Sequence, residues 1–116
     1  MNPHSVKNAH VTVAAARMAP IPAGRRSPLL FEHGSMQVRF YAPRGNDPQT
    51  PHEQDEIYVV WQGCGWFVNG ESRTRFGPGD VLFVQAGTTH RFEEFSDDLE
   101  LWVMFYGPRG GEAPPG

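Results

Sequence analysis

Short runs of alternating hydrophobic and polar residues recur along the chain, and turn-forming residues separate them. The run Met36–Tyr41 alternates well enough for a β-strand, and Asn69-Gly70 is the strongest two-residue hairpin signal. The pattern predicts seven to nine short strands and no convincing helix, with His10–Ala16 as either a first strand or a short arm. The other predicted strands are Leu29–Phe31, Met36–Tyr41, Glu56–Trp61, Trp66–Val68, Ser72–Phe76, Val81–Val84, His90–Phe95 and Leu99–Tyr106.

Short strands joined by many turns are typical of an all-β sandwich or barrel. The 13 glycines and 11 prolines fit such a turn-rich fold, and 116 residues suffice to bury one core without disulfides. We find no internal repeat and no linker, so we predict one domain. Its parts are an N-terminal arm with the first strands over 1–35, a barrel core over 36–106 and a flexible Gly/Pro-rich tail over 107–116.

Charge and composition argue against several classes of function. The formal net charge is −3, Lys7 is the only lysine, and no clustered basic face is present, so we expect no nucleic-acid partner. The sequence has no apolar run of transmembrane length and no secretory hydrophobic region, and the single Cys64 cannot form an internal disulfide. We therefore expect a cytoplasmic protein with no membrane partner. Phosphoryl transfer and serine hydrolysis are not expected, because their loop and elbow motifs are missing.

Two segments resemble the two short motifs of the cupin superfamily, and the resemblance covers about residues 36–106. The matching positions are His52, Glu56 and Gly63 in the first motif and Gly79, Gly87 and His90 in the second. The first histidine of the family motif falls on Thr50, its proline on Gln85 and its asparagine on Glu94. The resemblance implies a double-stranded β-helix, or jelly-roll barrel, of two packed antiparallel sheets. It also implies a homodimer, which would cover an apolar outer face at Ile57, Val59 and Trp61.

The resemblance further implies one divalent transition metal ion held by His52, Glu56 and His90. Two imidazoles and one carboxylate suit Fe(II), Mn(II), Ni(II) or Zn(II). Alternate residues of a strand share one face, so His52, Gln54, Glu56 and Tyr58 would all face the barrel interior if their strand is unbroken. The alternative is that both histidines are structural and the site holds no metal.

Four further residues are candidates for roles around this site. Thr50 and Gln54 could line the pocket or bind a metal-bound water. Tyr58 and Glu94 are candidate catalytic groups, because each shares strand parity with a predicted ligand.

Three functions stay open at this point. The first is a metal-dependent enzyme that acts on a small molecule, such as a dioxygenase, isomerase, epimerase or decarboxylase, through Lewis-acid or metal–O₂ chemistry. The second is a non-catalytic domain that binds or senses a small ligand. The third is a structural barrel whose metal site is degenerate.

Overall fold

Within residues 9–113, which the computed structural model describes, the chain forms eight strands and one short helix. The elements are α1 (Val13–Met18), β1 (Leu29–His33), β2 (Met36–Tyr41), β3 (Asp55–Gln62), β4 (Gly65–Asn69), β5 (Ser72–Phe76), β6 (Val81–Val84), β7 (His90–Glu93) and β8 (Glu100–Tyr106). A large antiparallel sheet has the order β1-β2-β8-β3-β6, and a small one has the order β5-β4-β7. This architecture confirms the predicted all-β jelly-roll barrel of two packed antiparallel sheets.

The hydrophobic side chains at alternate positions of the central strands fill the space between the two sheets. On β3, Glu56, Tyr58 and Val60 are buried, whereas Ile57 and Val59 between them are only half-buried. This is the period of two that a strand imposes on its side chains. The buried hydrophobic cluster consists of Tyr41, Tyr58, Val60, Phe67, Phe76, Val84, Phe92, Leu99, Leu101 and Val103.

The segment predicted as a first strand or arm, His10–Ala16, instead runs into the helix α1. Thr12 caps the helix, since its hydroxyl oxygen accepts a hydrogen bond from the Ala15 N–H at 3.1 Å. Arg17 fixes the helix to the barrel through Glu100, with a shortest N–O distance of 2.7 Å. The expectation of no helix was wrong, because the run of alanines has high helix propensity. Ala16 is the only buried residue of this helix, so the helix shows little hydrophobic pattern. No helix in the described part of the chain is long and apolar enough to span a membrane.

Residues 107–113 of the predicted tail are attached to the barrel by hydrogen bonds that their backbone N–H groups donate. The Asp55 carboxylate accepts hydrogen bonds from the Glu112 and Ala86 N–H groups, both at 2.9 Å. These two bonds lower the pKa of Asp55. The Gly110 N–H donates to the Glu53 carbonyl at 2.7 Å. Residues 1–8 of the predicted arm and 114–116 of the predicted tail lie outside the described residues.

An apolar patch lies on the outer side of the large sheet, at its β6 edge. Trp61, Val81 and Phe83 are about half exposed or more, at 47%, 66% and 51%. In the β3–β6 register, Ile57 lies opposite Phe83 and Val59 lies opposite Val81. Residues of β3 predicted to face away from the core thus do so, and the homodimer that would cover them stays a prediction.

Gly63, the glycine of the first motif, ends the central strand at a place where no side chain fits. Its φ angle is +95°, which L side chains rarely adopt. A Cβ atom there would lie 2.6 Å from the Leu99 Cα. The chain can therefore pass this close to the β7–β8 connection only with a glycine.

We expect Gly63→Ala to lower the free energy of unfolding by about 1–3 kcal/mol, because the added methyl group combines backbone strain with a clash. Chemical denaturation followed by tryptophan fluorescence measures this. Gly77→Ala is the matched control, since Gly77 has open space around its Cβ position and should change stability by less than about 0.5 kcal/mol. Equal effects of the two substitutions would contradict this explanation of the motif glycine.

Candidate metal centre

Glu56 enters the site from the large sheet, on the strand next to its β6 edge. It lies on β3 between Val84 of β6 and Phe105 of β8, and only 1% of the residue is exposed. A carboxylate is rarely buried this completely unless a partner compensates its charge. The strand alternation that buries Tyr58 and Val60 therefore also forces Glu56 into the interior.

His90 enters from the small sheet, as the first residue of β7. Gly87 lies in the preceding turn with a φ of +81°, which explains the glycine at this motif position. The His90 Nδ1–H donates to the Thr88 carbonyl, 2.9 Å away. In the neutral imidazole this bond leaves the Nε2 lone pair free, which is the usual arrangement of a metal-binding histidine. Nε2 lies 3.2 Å from Glu56 Oε1.

His52 comes from the loop that precedes β3. Its backbone carbonyl accepts a hydrogen bond from the Gly87 N–H at 2.8 Å, so the loop is attached to the turn that carries His90. Its ring packs edge-on against Phe105 at 4.9 Å and lies 5.1 Å from the His90 ring. The strand is not continuous back to His52, since β3 begins at Asp55. Loop contacts therefore place this histidine, and strand parity does not.

The three side chains converge as the sequence predicted. One ligand atom from each of His52, Glu56 and His90 lies within 4.8 Å of the others, and His52 Nε2 lies 3.9 Å from Glu56 Oε1. Glu56 Oε1 and His90 Nε2 are buried, and neither completes a hydrogen bond with a described residue. Leaving such an atom without a partner costs about 1–3 kcal/mol. A divalent cation would satisfy both atoms, so the residues fit a metal ion.

The surroundings shift the pKa values of the two histidines in opposite directions. Burial lowers the pKa of His52, and this effect outweighs its attraction to Glu56. Burial also lowers the pKa of His90, but the Glu56 carboxylate and the Thr88 carbonyl more than offset it, so the net shift is upward. A metal ion needs both imidazoles in the neutral form, so its binding would release a proton from any protonated His90.

Tyr58 lies at the base of the site. It is completely buried, and its hydroxyl donates to Gln49 Oε1 at 2.9 Å. Burial raises the pKa of Tyr58 well above its usual value, and the charge of Glu56 raises it further. The phenol is therefore a neutral hydrogen-bond donor in this position, which makes it unsuited to act as a base.

The other predicted site residues lie at the rim or outside the site. Thr50 is exposed and Gln54 donates both of its amide hydrogen bonds to backbone carbonyls, those of Ser35 and Gly107. Both residues line the cavity above the site. The Glu94 side chain lies outside the site, because β7 ends at Glu93 and Glu94 has a φ of +46°. Its side chain is 73% exposed and pairs with Arg73.

Two residues that sequence reasoning missed lie in the loop before His52. Gln49 Oε1 lies 3.3 Å from His52 Nε2, and Gln49 Nε2 donates to Asp47 Oδ2 at 2.8 Å. Asp47 is itself 8% exposed. One signal was available in the sequence, because Gln49 directly precedes Thr50, the position of the missing family histidine.

A cavity of about 860 Å³ opens above these residues. His52, Glu56 and Tyr58 contribute to its lining, as do Arg26 and Arg39. This volume suits a small organic molecule.

Residues 37–105 match the model of the cupin domain family. The chain belongs to this family. The match includes all three converging residues and both motifs, so the cupin resemblance predicted from the sequence is confirmed.

Similar proteins and solved structures support the assignment at different levels. An uncharacterized protein of Streptomyces coelicolor is 38% identical over 76 residues, which make up 64% of this chain and 72% of that protein. The transcriptional activator RhaR of Yersinia pseudotuberculosis is 32% identical over 90 residues, 78% of this chain but only 31% of the activator. A structure of unknown function from Rhizobium leguminosarum has a TM-score of 0.70 at 18% identity, over 87% of this chain and 98% of that one. This structural likeness shows the fold alone.

We expect His90→Ala to abolish binding of one divalent metal ion per chain, because it removes a buried imidazole that the site cannot replace. Elemental analysis of untagged protein, purified without added metal and after reconstitution, measures this. His33→Ala is the matched control, since His33 is exposed on β1 and should leave the metal content unchanged. Metal content that persists in both His52→Ala and His90→Ala would show that the metal lies elsewhere.

Proposed function

We propose that this cupin is a metal-dependent enzyme that acts on a small molecule with an anionic group. The observation that supports this most directly is the buried pair Glu56 Oε1 and His90 Nε2, which lie 3.2 Å apart beside a cavity and complete no hydrogen bond. Buried atoms without partners are rare in folded proteins and are often explained by an ion or a functional role. Two histidines and one carboxylate are the set that Fe(II), Mn(II), Ni(II) and Zn(II) accept.

Arginine side chains in the same cavity support the choice of an anionic ligand. Arg25, Arg26 and Arg39 line the cavity together with His52 and Glu56. Arg39 is only 8% exposed, and burial and then the charge of Arg25 lower its pKa. Such a group of cations in a chain of net charge −3 favours carboxylate or another anion, which arginine binds with two parallel hydrogen bonds.

The arginines would bind the anionic end of a substrate, and the metal ion would bind and polarise its reacting group. Arg39 is held in place, since its Nε–H donates to Gln37 at 3.2 Å and an Nη1–H donates to the Ser27 carbonyl at 3.0 Å. Its remaining donors could orient the anionic end of a substrate. A bound divalent ion would supply Lewis acidity, and O₂ activation if it is iron. Tyr58 would hold its proton and keep Gln49 in position.

A ligand-sensing domain is the second candidate. It is supported by the 32% identity to a transcriptional activator, of which the matched part is less than a third. A sensor needs the same cavity and the same arginines, but no turnover. We favour the enzyme because a converging metal-binding triad offers chemistry that ligand binding alone does not need.

One series of measurements on the whole chain tests the proposal. Metal content of about one ion per chain would support both the enzyme and a metal-dependent sensor, whereas no metal even after reconstitution would indicate a degenerate barrel. Oxygen uptake and product formation are then measured on the metal-loaded protein with a panel of small carboxylates. Turnover that disappears in His90→Ala supports the enzyme. Binding without any turnover across the panel supports the sensor.

We expect Arg39→Gln to weaken malonate binding to the Mn(II)-loaded protein by about 10–100-fold, since a charge-assisted hydrogen bond contributes about 1.5–3 kcal/mol. Isothermal titration calorimetry measures the affinity, and the unfolding midpoint confirms that the variant is folded. Arg75→Gln is the matched control, because Arg75 lies on β5 beside Trp66 and not in the cavity lining. Equal malonate affinity in the two variants would argue against an anion site at Arg39.

A further inference from the structure

The side-chain amide of Gln49 has one fixed direction. Its Nε2 donates to Asp47 Oδ2 at 2.8 Å, and a carboxylate offers only acceptors, so the amide nitrogen faces Asp47. The carbonyl oxygen, Oε1, must then point the other way. There it accepts a hydrogen bond from the Tyr58 hydroxyl at 2.9 Å and lies 3.3 Å from His52 Nε2.

Asp47 is anchored on both sheets, which makes it a rigid support. Its Oδ2 also accepts a hydrogen bond from the Phe92 N–H of β7 at 2.8 Å, and its Oδ1 accepts one from the Tyr41 hydroxyl of β2. Phe92 lies two residues after His90 on the same strand. The support of Gln49 and the strand of a predicted ligand therefore move together.

The spacing between Gln49 and His52 is that of two neighbouring metal ligands. Two atoms about 2.1 Å from one ion, at an angle of about 90–110°, lie about 3.0–3.4 Å apart. Gln49 Oε1 and His52 Nε2 are 3.3 Å apart, and the Glu56 Oε1 and His90 Nε2 pair is 3.2 Å apart. Tyr58 donates to one side of Oε1, and His52 Nε2–H donates to the other. A metal ion would displace the His52 Nε2 proton, as metal binding does at imidazole ligands, and would then lie between these two atoms.

We propose that Gln49 Oε1 is a fourth metal-binding atom beside His52, Glu56 and His90, and that Asp47 is the positioning residue that orients it. The inference rests on the proposed metal site. Gln49 would take the place of the family histidine that is absent at Thr50, and the site would then hold two nitrogens and two oxygens. A neutral oxygen in place of an imidazole makes the site harder, which favours Mn(II) and Fe(II) relative to softer ions.

The test compares metal affinity and ligand field in the full chain with Gln49 altered. We expect Gln49→Leu to weaken Mn(II) binding by about 10–100-fold and to change the d–d absorption of the Co(II)-loaded protein, because a ligand oxygen is lost. Gln85→Leu is the matched control at an exposed glutamine and should leave both signals unchanged.

The outcomes separate this inference from the proposed function. If the wild type binds no metal, the proposed site and the fourth ligand both fail. If the wild type binds metal and folded Gln49→Leu has the same Mn(II) affinity and Co(II) spectrum, only the fourth ligand is overturned. If Gln49→Leu does not fold, Gln49→His decides: an additional nitrogen coupling in the Cu(II) electron paramagnetic resonance spectrum supports a ligand at this position, and an unchanged coupling pattern overturns it.

Discussion

The buried contact between Glu56 and His90 is the constraint on which the arrangement of this barrel depends. Each residue comes from a different sheet, and the two ligand atoms meet at 3.2 Å without completing a hydrogen bond. Two sheets that bring a carboxylate and an imidazole together in an apolar interior incur a desolvation cost that hydrophobic packing alone does not remove. A cation between them would compensate this cost and would bind residues of both sheets, so its binding free energy would add to the stability of the fold.

The surrounding polar groups form a connected support for that contact. Asp47 accepts hydrogen bonds from the Tyr41 hydroxyl of β2, from the Phe92 N–H of β7 and from Gln49 in the loop before β3. Gln49 in turn contacts Tyr58 and His52 through its Oε1 atom. Functional groups keep a productive geometry only when a second layer of interactions fixes their orientation. A loop would otherwise be a poor place for a ligand, and these bonds explain how His52 can lie in one.

The sequence predicted those features that strand periodicity and motif spacing control. Glu56 and His90 could be assigned because each begins or lies in a strand whose alternation fixes its face, and because Gly63 and Gly87 occupy turns with positive φ angles. Glu94 was misplaced by the same reasoning, since parity holds only while the strand continues and β7 ends one residue earlier. Gln49 and Asp47 lie in a proline-rich loop with no period, so only the three-dimensional structure shows that they reach the site. The helix α1 was missed because its six residues are too few to show a helical pattern.

The state of the proton-carrying groups limits the chemistry that this cavity can perform. Burial and then the charge of Glu56 raise the pKa of Tyr58 and hold it neutral, and Glu94 pairs with Arg73 at the surface. Neither of these two candidate catalytic groups is thus placed to take a proton from a bound molecule. Under the proposed function, catalysis would therefore depend on polarisation by a metal ion and on the anchoring of charge by arginines, with no general base supplied by these two residues. Under the proposed function, the substrates would bind through an enolate, carboxylate or similar anion, whose reacting proton is already acidic or already lost.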